Sequence, residues 1–302
     1  MKIAFLGAGH MGVPMALNVL RAGHQLKAFN RTPAKMMALR QEGATIVNSP
    51  LEAVEGVDIA ITMLANDQAV RETILGRSPS GIAAIDVLSR DAIHMCTSTI
   101  SVVLSKELER EHAARGQGYV AAPVVGRPEA AAERQLWVMV GGPRDQIERC
   151  RPVIEAFSRG ISVVGAEPWF ANLTKIAANF MIASMLEAMG EAFALVRKAG
   201  MEPRAFLEVL NAIFGSPMYS NYAQKIVNQQ FEPAGFRVTL GLKDVHLALE
   251  AAQDAAVPMP LASLLRDHFL TAVAHGREAA DWSAVAEVAA WSAGLDMPVS
   301  AR

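Results

Sequence analysis

Residues 2–21 read KIAFLGAGHMGVPMALNVLR. A short apolar run stops at Gly7-Ala8-Gly9-His10-Met11-Gly12 and passes at once into helical apolar spacing, so the glycines fall between a strand and a helix. Each glycine has its own reason to be there. Gly7 permits the tight turn, Gly9 lets the backbone come close to a pyrophosphate, and Gly12 lets the helix lie near the strand. The unbonded N–H groups of the first helical turn then face the phosphates, with His10 and Met11 completing the loop. This context predicts a dinucleotide-binding domain of the Rossmann type. The glycines also interrupt what Lys2 and the following apolar residues would otherwise make similar to a secretory leader.

Working outward, a second strand over residues 25–29 ends at Asn30-Arg31-Thr32, about 20 residues past the glycines, where an NAD-binding chain places a carboxylate on the ribose hydroxyls. That acid is missing. Arg31 can bind a 2′-phosphate bidentately, with Asn30 and Thr32 adding hydrogen bonds, so NADP is the expected cofactor and NAD a possible one. Further strands are expected at residues 44–47, 58–64, 82–87, 93–96, 118–122, 136–140 and 161–164, with helices between them, as in a doubly wound α/β sheet. Met63, Leu64 and Ala65 close one of these on the ligand side. Residues 97–101, Thr-Ser-Thr-Ile-Ser, can bind an anion or cap the helix over 102–115, and spacing favours the cap. Val125, Gly126 and Arg127 lie in the loop after another strand, again at the end where such sheets hold ligands.

After Gly165 strand alternation stops and helices follow. The first, PWFANLTKIAANFMIASMLEAMGEAFALVRKAG over residues 168–200, has Pro168 where a first turn accepts it and Gly200 where a helix ends; it is roughly 30 residues and about 45 Å long. Apolar residues spread almost all round it, which predicts burial. Asn172, Lys175 and Asn179, at i, i+3 and i+7, form a polar stripe along it, with the small residues Ala183 and Gly190 beyond. A lysine in such surroundings costs several kcal/mol unless paired, hydrated or in use. Five more helices are expected at residues 203–213, 220–229, 240–255, 260–275 and 283–292, giving a Rossmann domain over 1–165 and an all-α domain over 166–302, linked by a long helix at 168–199.

Bulk properties narrow the function. With 302 residues, 52% hydrophobic and 19% charged, the chain can bury a large core. A net charge of -2 leaves no excess for a phosphate backbone, which argues against a nucleic-acid partner. Cys96 and Cys150 form no CxxC pair and sit in no cluster of histidines, so a reduced compartment and no metal site are expected. The seven histidines are scattered singly and build no triad. Lys175, Asn179, Glu187 and Glu191 interrupt the long helix as a membrane span, and a soluble cytoplasmic protein is expected.

The order of motifs then becomes specific. GAGHMG, Asn30-Arg31-Thr32, Ser98-Thr99-Ile100, Ala122-Pro123-Val124 with Val140-Gly141-Gly142, the helix with Lys175 and Asn179, and Lys243-Asp244 resemble the β-hydroxyacid dehydrogenases, over nearly the whole chain. The resemblance implies an NAD(P)-dependent oxidoreductase acting on a small carbonyl or hydroxy acid, as a homodimer or homotetramer through the helical domain. On matching positions it implies Lys175 as general acid/base and Asn179 as the residue that orients substrate. It places Ser98 and Thr99 against substrate or cofactor, Asn172 beside the substrate, and Lys243 on the nicotinamide side. The family's Ala-Pro-Val-Ser-Gly-Gly is here Ala-Pro-Val-Val-Gly-Arg, so a hydroxyl donor is lost at Val125 and a guanidinium gained at Arg127. Imine reductases share the architecture but usually lack the lysine, and catalytically inert cofactor-binding relatives lose it as well; Lys175 argues against both.

Overall fold

The computed structural model describes residues 1–76 and 81–295. Strands β1 (Lys2–Leu6), β2 (Gln25–Phe29), β3 (Thr45–Ile46), β4 (Ile59–Thr62), β5 (Ile93–Cys96) and β6 (Gly118–Ala121) form a parallel sheet in the order β3-β2-β1-β4-β5-β6. The order reverses beside β1, so the loop after β1 lies at the switch point where doubly wound sheets bind ligands. Three further strands extend the sheet: β7 (Val124–Val125), β8 (Leu136–Gly141) and β9 (Ser158–Gly165). β8 runs antiparallel beside β6 and β7, and β9 is parallel to β8.

Helices α1 (Gly12–Arg21), α2 (Met37–Gln41), α3 (Pro50–Val54), α4 (Asp67–Ile74), α5 (Ala84–Val87), α6 (Val102–Ala113), α7 (Pro128–Ala132) and α8 (Arg144–Glu155) complete this part. Ile3, Phe5, Ile59, Ile61, Ile93 and Met95 pack on one face with Met15, Val19, Ile147 and Val153. Ala4, Leu6, Ala60 and Cys96 pack on the other with Val54, Val70, Ile85 and Leu104. Burial on both faces is why these strands read as unbroken apolar runs.

The all-helical part comprises α9 (Trp169–Lys198), α10 (Pro203–Phe214), α11 (Pro217–Val227), α12 (Val238–Asp254), α13 (Pro260–Ala274) and α14 (Ala286–Ser292). The chain divides into compact units Met1–Lys175 and Ile176–Arg302, so α9 begins in the first and ends in the second. The second unit has its own core, including Leu186, Phe193, Val245, Leu265, Phe269 and Trp282. Gly190 fits its smallness: a Cβ there would meet the Ala286 Cα at 2.7 Å.

Three expectations change. Residues 82–87 are no strand: β4 pairs directly with β5, leaving no slot, and the run instead makes the one-turn helix α5, whose Ala83 N–H donates to the Asp86 carboxylate (3.1 Å). Val124–Val125, read as loop, pairs with β8. The long helix is not buried all round, since Met181 is 66% and Leu195 70% exposed. By length and mean hydropathy (1.3) α9 is apolar enough to cross a membrane, and half of its most apolar window is buried inside the protein.

Candidate active site

In the first unit the glycine loop has the geometry its sequence demands. Gly7 has φ +109°, and a Cβ there would meet the Met63 carbonyl oxygen at 2.3 Å; one on Gly12 would meet the Gly7 carbonyl oxygen at 1.9 Å. In front of Gly9 there is open space within 4 Å. The loop is therefore closed behind and clear ahead, as a cradle for a pyrophosphate must be. No side chain at Met11 caps α1, which leaves its N-terminal end to a ligand. Asn30 braces the loop by accepting from the Ala8 N–H (3.2 Å) and donating to the Thr32 carbonyl (3.0 Å), while Arg31 and Thr32 are exposed. The residues present fit a dinucleotide.

Met63 and Leu64 follow β4, half-buried, and Ala65 is exposed. Ser101, not Ser98, caps α6 through the Leu104 N–H (3.0 Å) and is itself held by Asp67. Ser98 is fully buried, accepting from the Leu64 N–H (2.8 Å) and donating to the Thr62 carbonyl (3.3 Å). Its hydroxyl thus ties two turns together, while Thr99 beside it is half-buried. Val125 pairs with Trp137, Gly126 is exposed, and Arg127 precedes α7 with its side chain half-buried. Asn18 of α1 donates to the Ala131 carbonyl (2.8 Å), fastening the glycine-loop helix to α7.

The stripe on α9 is buried as its spacing predicts, with Asn172 1%, Lys175 7% and Asn179 4% exposed. Both Asn172 amide atoms are buried without a hydrogen-bond partner. Such an arrangement costs free energy unless a ligand completes it. In the second unit, Asn179 donates to the Asp244 carboxylate, which is also ion-paired to Lys243 (3.0 Å). Asp244, to which the sequence pattern gives no role, is buried and joins two candidate residues. Its adjacency to Lys243 was the available signal. Elsewhere in that unit a cavity of about 450 Å³, lined by Asn228, Phe231, Arg277 and Glu287, contains none of the candidate residues.

Two of the histidines that the sequence scatters singly are brought together by the fold. His94 and His112 lie 2.9 Å apart in the first unit, both fully buried, within a chain running from Thr62 to Gln117. Burial holds the His94 imidazole well below its ordinary pKa and takes His112 down to about 4. Cys96 and Cys150 are buried free thiols whose pKa values burial raises, Cys150 to about 12.

A switch-point glycine loop clear for a pyrophosphate, followed by a helical part with a buried lysine, defines a dinucleotide-dependent oxidoreductase architecture. The comparisons agree with that class. The family described as the NAD binding domain of 6-phosphogluconate dehydrogenase matches residues 2–165, and the one described as NAD-binding of NADP-dependent 3-hydroxyisobutyrate dehydrogenase matches 171–289. An uncharacterized oxidoreductase of Bacillus subtilis is 43% identical over 94% of this chain and 98% of its own. The 2-hydroxy-3-oxopropionate reductase of Escherichia coli is 31% identical over 95% and 96%. The Mycobacterium tuberculosis 3-hydroxyisobutyrate dehydrogenase structure with L-serine superposes at a TM-score of 0.84, with 29% identity over 95% of this chain and 98% of that one. The chain belongs to the β-hydroxyacid dehydrogenase family and is an NAD(P)-dependent oxidoreductase.

Proposed function

We propose that the protein is an NADPH-dependent reductase and dehydrogenase that interconverts a small semialdehyde or keto acid and its hydroxy acid. The observation that carries this reading is the buried polar stripe of α9: Lys175 is buried one turn from the orphaned Asn172 amide. Gly7, Gly9 and Gly12, with the backbone of His10 and Met11, would hold the pyrophosphate. Arg31, flanked by Asn30 and Thr32, would hold the 2′-phosphate. Met63, Leu64, Ala65, Thr99 and Lys243 would complete the cofactor's contacts. The bound nicotinamide supplies or accepts the hydride. Lys175 donates a proton to the forming alkoxide oxygen in reduction and takes it back in oxidation, and its ammonium stabilises the developing negative charge. Asn179 orients the ligand, and its own amide is held in turn by Asp244. Asn172 serves the substrate side, and Ser98, its hydroxyl already bonded to the Leu64 N–H and the Thr62 carbonyl, would serve it by holding the turns beside the ligand.

Val125 gives that side an apolar wall, and Arg127 binds a substrate acid group, so the substrate is bulkier or less polar than a simple 3-hydroxy acid. The enzyme works in the cytoplasm as a homodimer or homotetramer.

The test is Lys175→Ala: NADPH binding, followed by fluorescence, and folding are retained, while turnover of small semialdehydes and keto acids falls by about two orders of magnitude or more. Near-normal turnover, or a protein that no longer folds, would make Lys175 structural. For Arg127→Ala, kcat/KM for paired acid and alcohol substrates should lose its acid preference. A preference left intact would return Arg127 to the surface and leave Val125 alone shaping the pocket.

A further inference from the structure

The polar chain behind the sheet carries an inference of its own. Gln117 Nε2 lies 2.9 Å from the Ile85 carbonyl and 2.6 Å from the Leu88 carbonyl. Two carbonyls can only accept, so the amide orientation is fixed and Gln117 Oε1 must accept from His112 Nδ1 (2.8 Å). A neutral His112 then has a bare Nε2, which accepts from His94 Nδ1 (2.9 Å). His94 Nε2 is bare in turn and accepts from the Thr62 hydroxyl (2.9 Å). Every donor in the wire points the same way, from Thr62 at the end of β4 to the backbone beside α5.

Its surroundings keep it neutral. Tyr119 stacks on His112, with ring planes 4° apart, and its hydroxyl lies 3.4 Å from that of Ser105. Cys96, buried, lies against the side chains of both Thr62 and Tyr119. The charged groups acting on His112 are Arg115 and Glu111, which are paired to each other (3.0 Å); Arg115 also pairs with Asp86 (3.1 Å). Glu109 acts on Tyr119.

At the other end, the Thr62 carbonyl accepts from the Thr97 N–H (2.9 Å), the Thr97 hydroxyl (2.8 Å) and the Ser98 hydroxyl (3.3 Å). Ser98 receives the Leu64 N–H. The residue that ends the wire therefore also fastens the 63–65 turn to the 97–99 turn.

We propose that His94, His112 and Gln117 are positioning residues for cofactor binding. Their one-directional wire fixes Thr62, and Thr62 sets the spacing of the two turns that face the nicotinamide nucleotide. This rests on the cofactor assignment of those turns made above. None of the wire residues touches the reacting atoms, so the role is read in nucleotide affinity and not in the chemical step.

The experiment has two arms on the full chain. In the first, nitrogen NMR of histidine-labelled wild type at neutral pH should show both imidazoles protonated at Nδ1 and bare at Nε2. An Nε2–H tautomer at either would overturn the wire, whatever the protein catalyses. In the second, NADPH and NADH are titrated against wild type, Thr62→Val and Thr62→Ser. Thr62→Val should weaken nucleotide binding about tenfold, the scale of one buried hydrogen bond, with kcat at saturation within about twofold, and should move the His94 Nε2 resonance. Thr62→Ser, which keeps the hydroxyl, should restore both. Unchanged affinity in Thr62→Val, an equal fall in kcat, or no rescue by serine would reject the positioning role. A Thr62→Val chain that does not fold, beside a serine variant with weakened nucleotide binding, would reject it too. Wild type that binds neither nucleotide would bring down the cofactor assignment itself, leaving the tautomer result standing.

Discussion

Two sets of buried polar side chains in the Met1–Lys175 unit are built on opposite principles. Behind the sheet, Thr62, His94, His112 and Gln117 satisfy one another and end on backbone carbonyls. On α9, the Asn172 amide is as deeply buried and has no partner at either atom. A closed network holds a structure in place, whereas an orphaned amide in an apolar setting is a cost that binding can repay. Burial alone does not separate a polar core residue from a waiting ligand contact. The difference between these two sets lies in the partners, which the Asn172 amide lacks and the wire supplies to each of its members.

That contrast can be broken most directly by paired substitutions of opposite sign. Gln117→Leu removes the acceptor from His112 and strands the Ile85 and Leu88 carbonyls, so stability measured by urea unfolding should fall by about 3 kcal/mol. Asn172→Leu strands nothing, so the cofactor-free protein should keep its stability or gain up to about 1 kcal/mol while the substrate KM rises. If both destabilise alike, the distinction between the two regions is lost.

Acid sharpens it next. The folded pKa of His112, about 4, lies below its ordinary 6.5, so the unfolded chain binds the proton more readily between those values. The stability this neutral imidazole provides is complete above 6.5 and is lost as pH falls towards about 4, about 3 kcal/mol in all, with His94 acting in the same direction. A urea midpoint that does not move between pH 7 and 5 would deny the histidines this role.

A further effect concerns an exposed residue. Arg31 should give NADPH an advantage over NADH of at least about tenfold, about 1.4 kcal/mol, and Arg31→Ala should erase it. Equal affinities in the wild type would mean the guanidinium points to solvent.

What was legible in the sequence follows from where the determining forces act. The glycine loop could be read because its constraints are local: Gly7 and Gly12 collide with backbone if given a side chain. The α9 stripe could be read because helical geometry alone aligns residues 172, 175 and 179. Residues 82–87 were misread because a short apolar run does not reveal whether the sheet has room for it, and β4 had already paired with β5. The histidine wire joins residues 62, 94, 112 and 117: sheet register brings Thr62 and His94 together, while His112 arrives on α6 and Gln117 in the turn that follows it. His94 pairs with Ala60, two residues from Thr62 on the same face. The outward face of α9 was misjudged for a related reason, since apolar character all round does not say which sides are covered.

The second half of α9 also acts as an index. Asn179 meets Asp244, Glu187 meets His268 at 2.7 Å, and Gly190 admits Ala286, all from one continuous helix. Each residue advances a helix by about 100°, so losing or gaining a single codon between positions 179 and 190 would rotate everything beyond it out of phase. A change of length in this stretch would therefore separate Glu187 from His268 and Gly190 from Ala286 together, where a substitution touches one contact at a time.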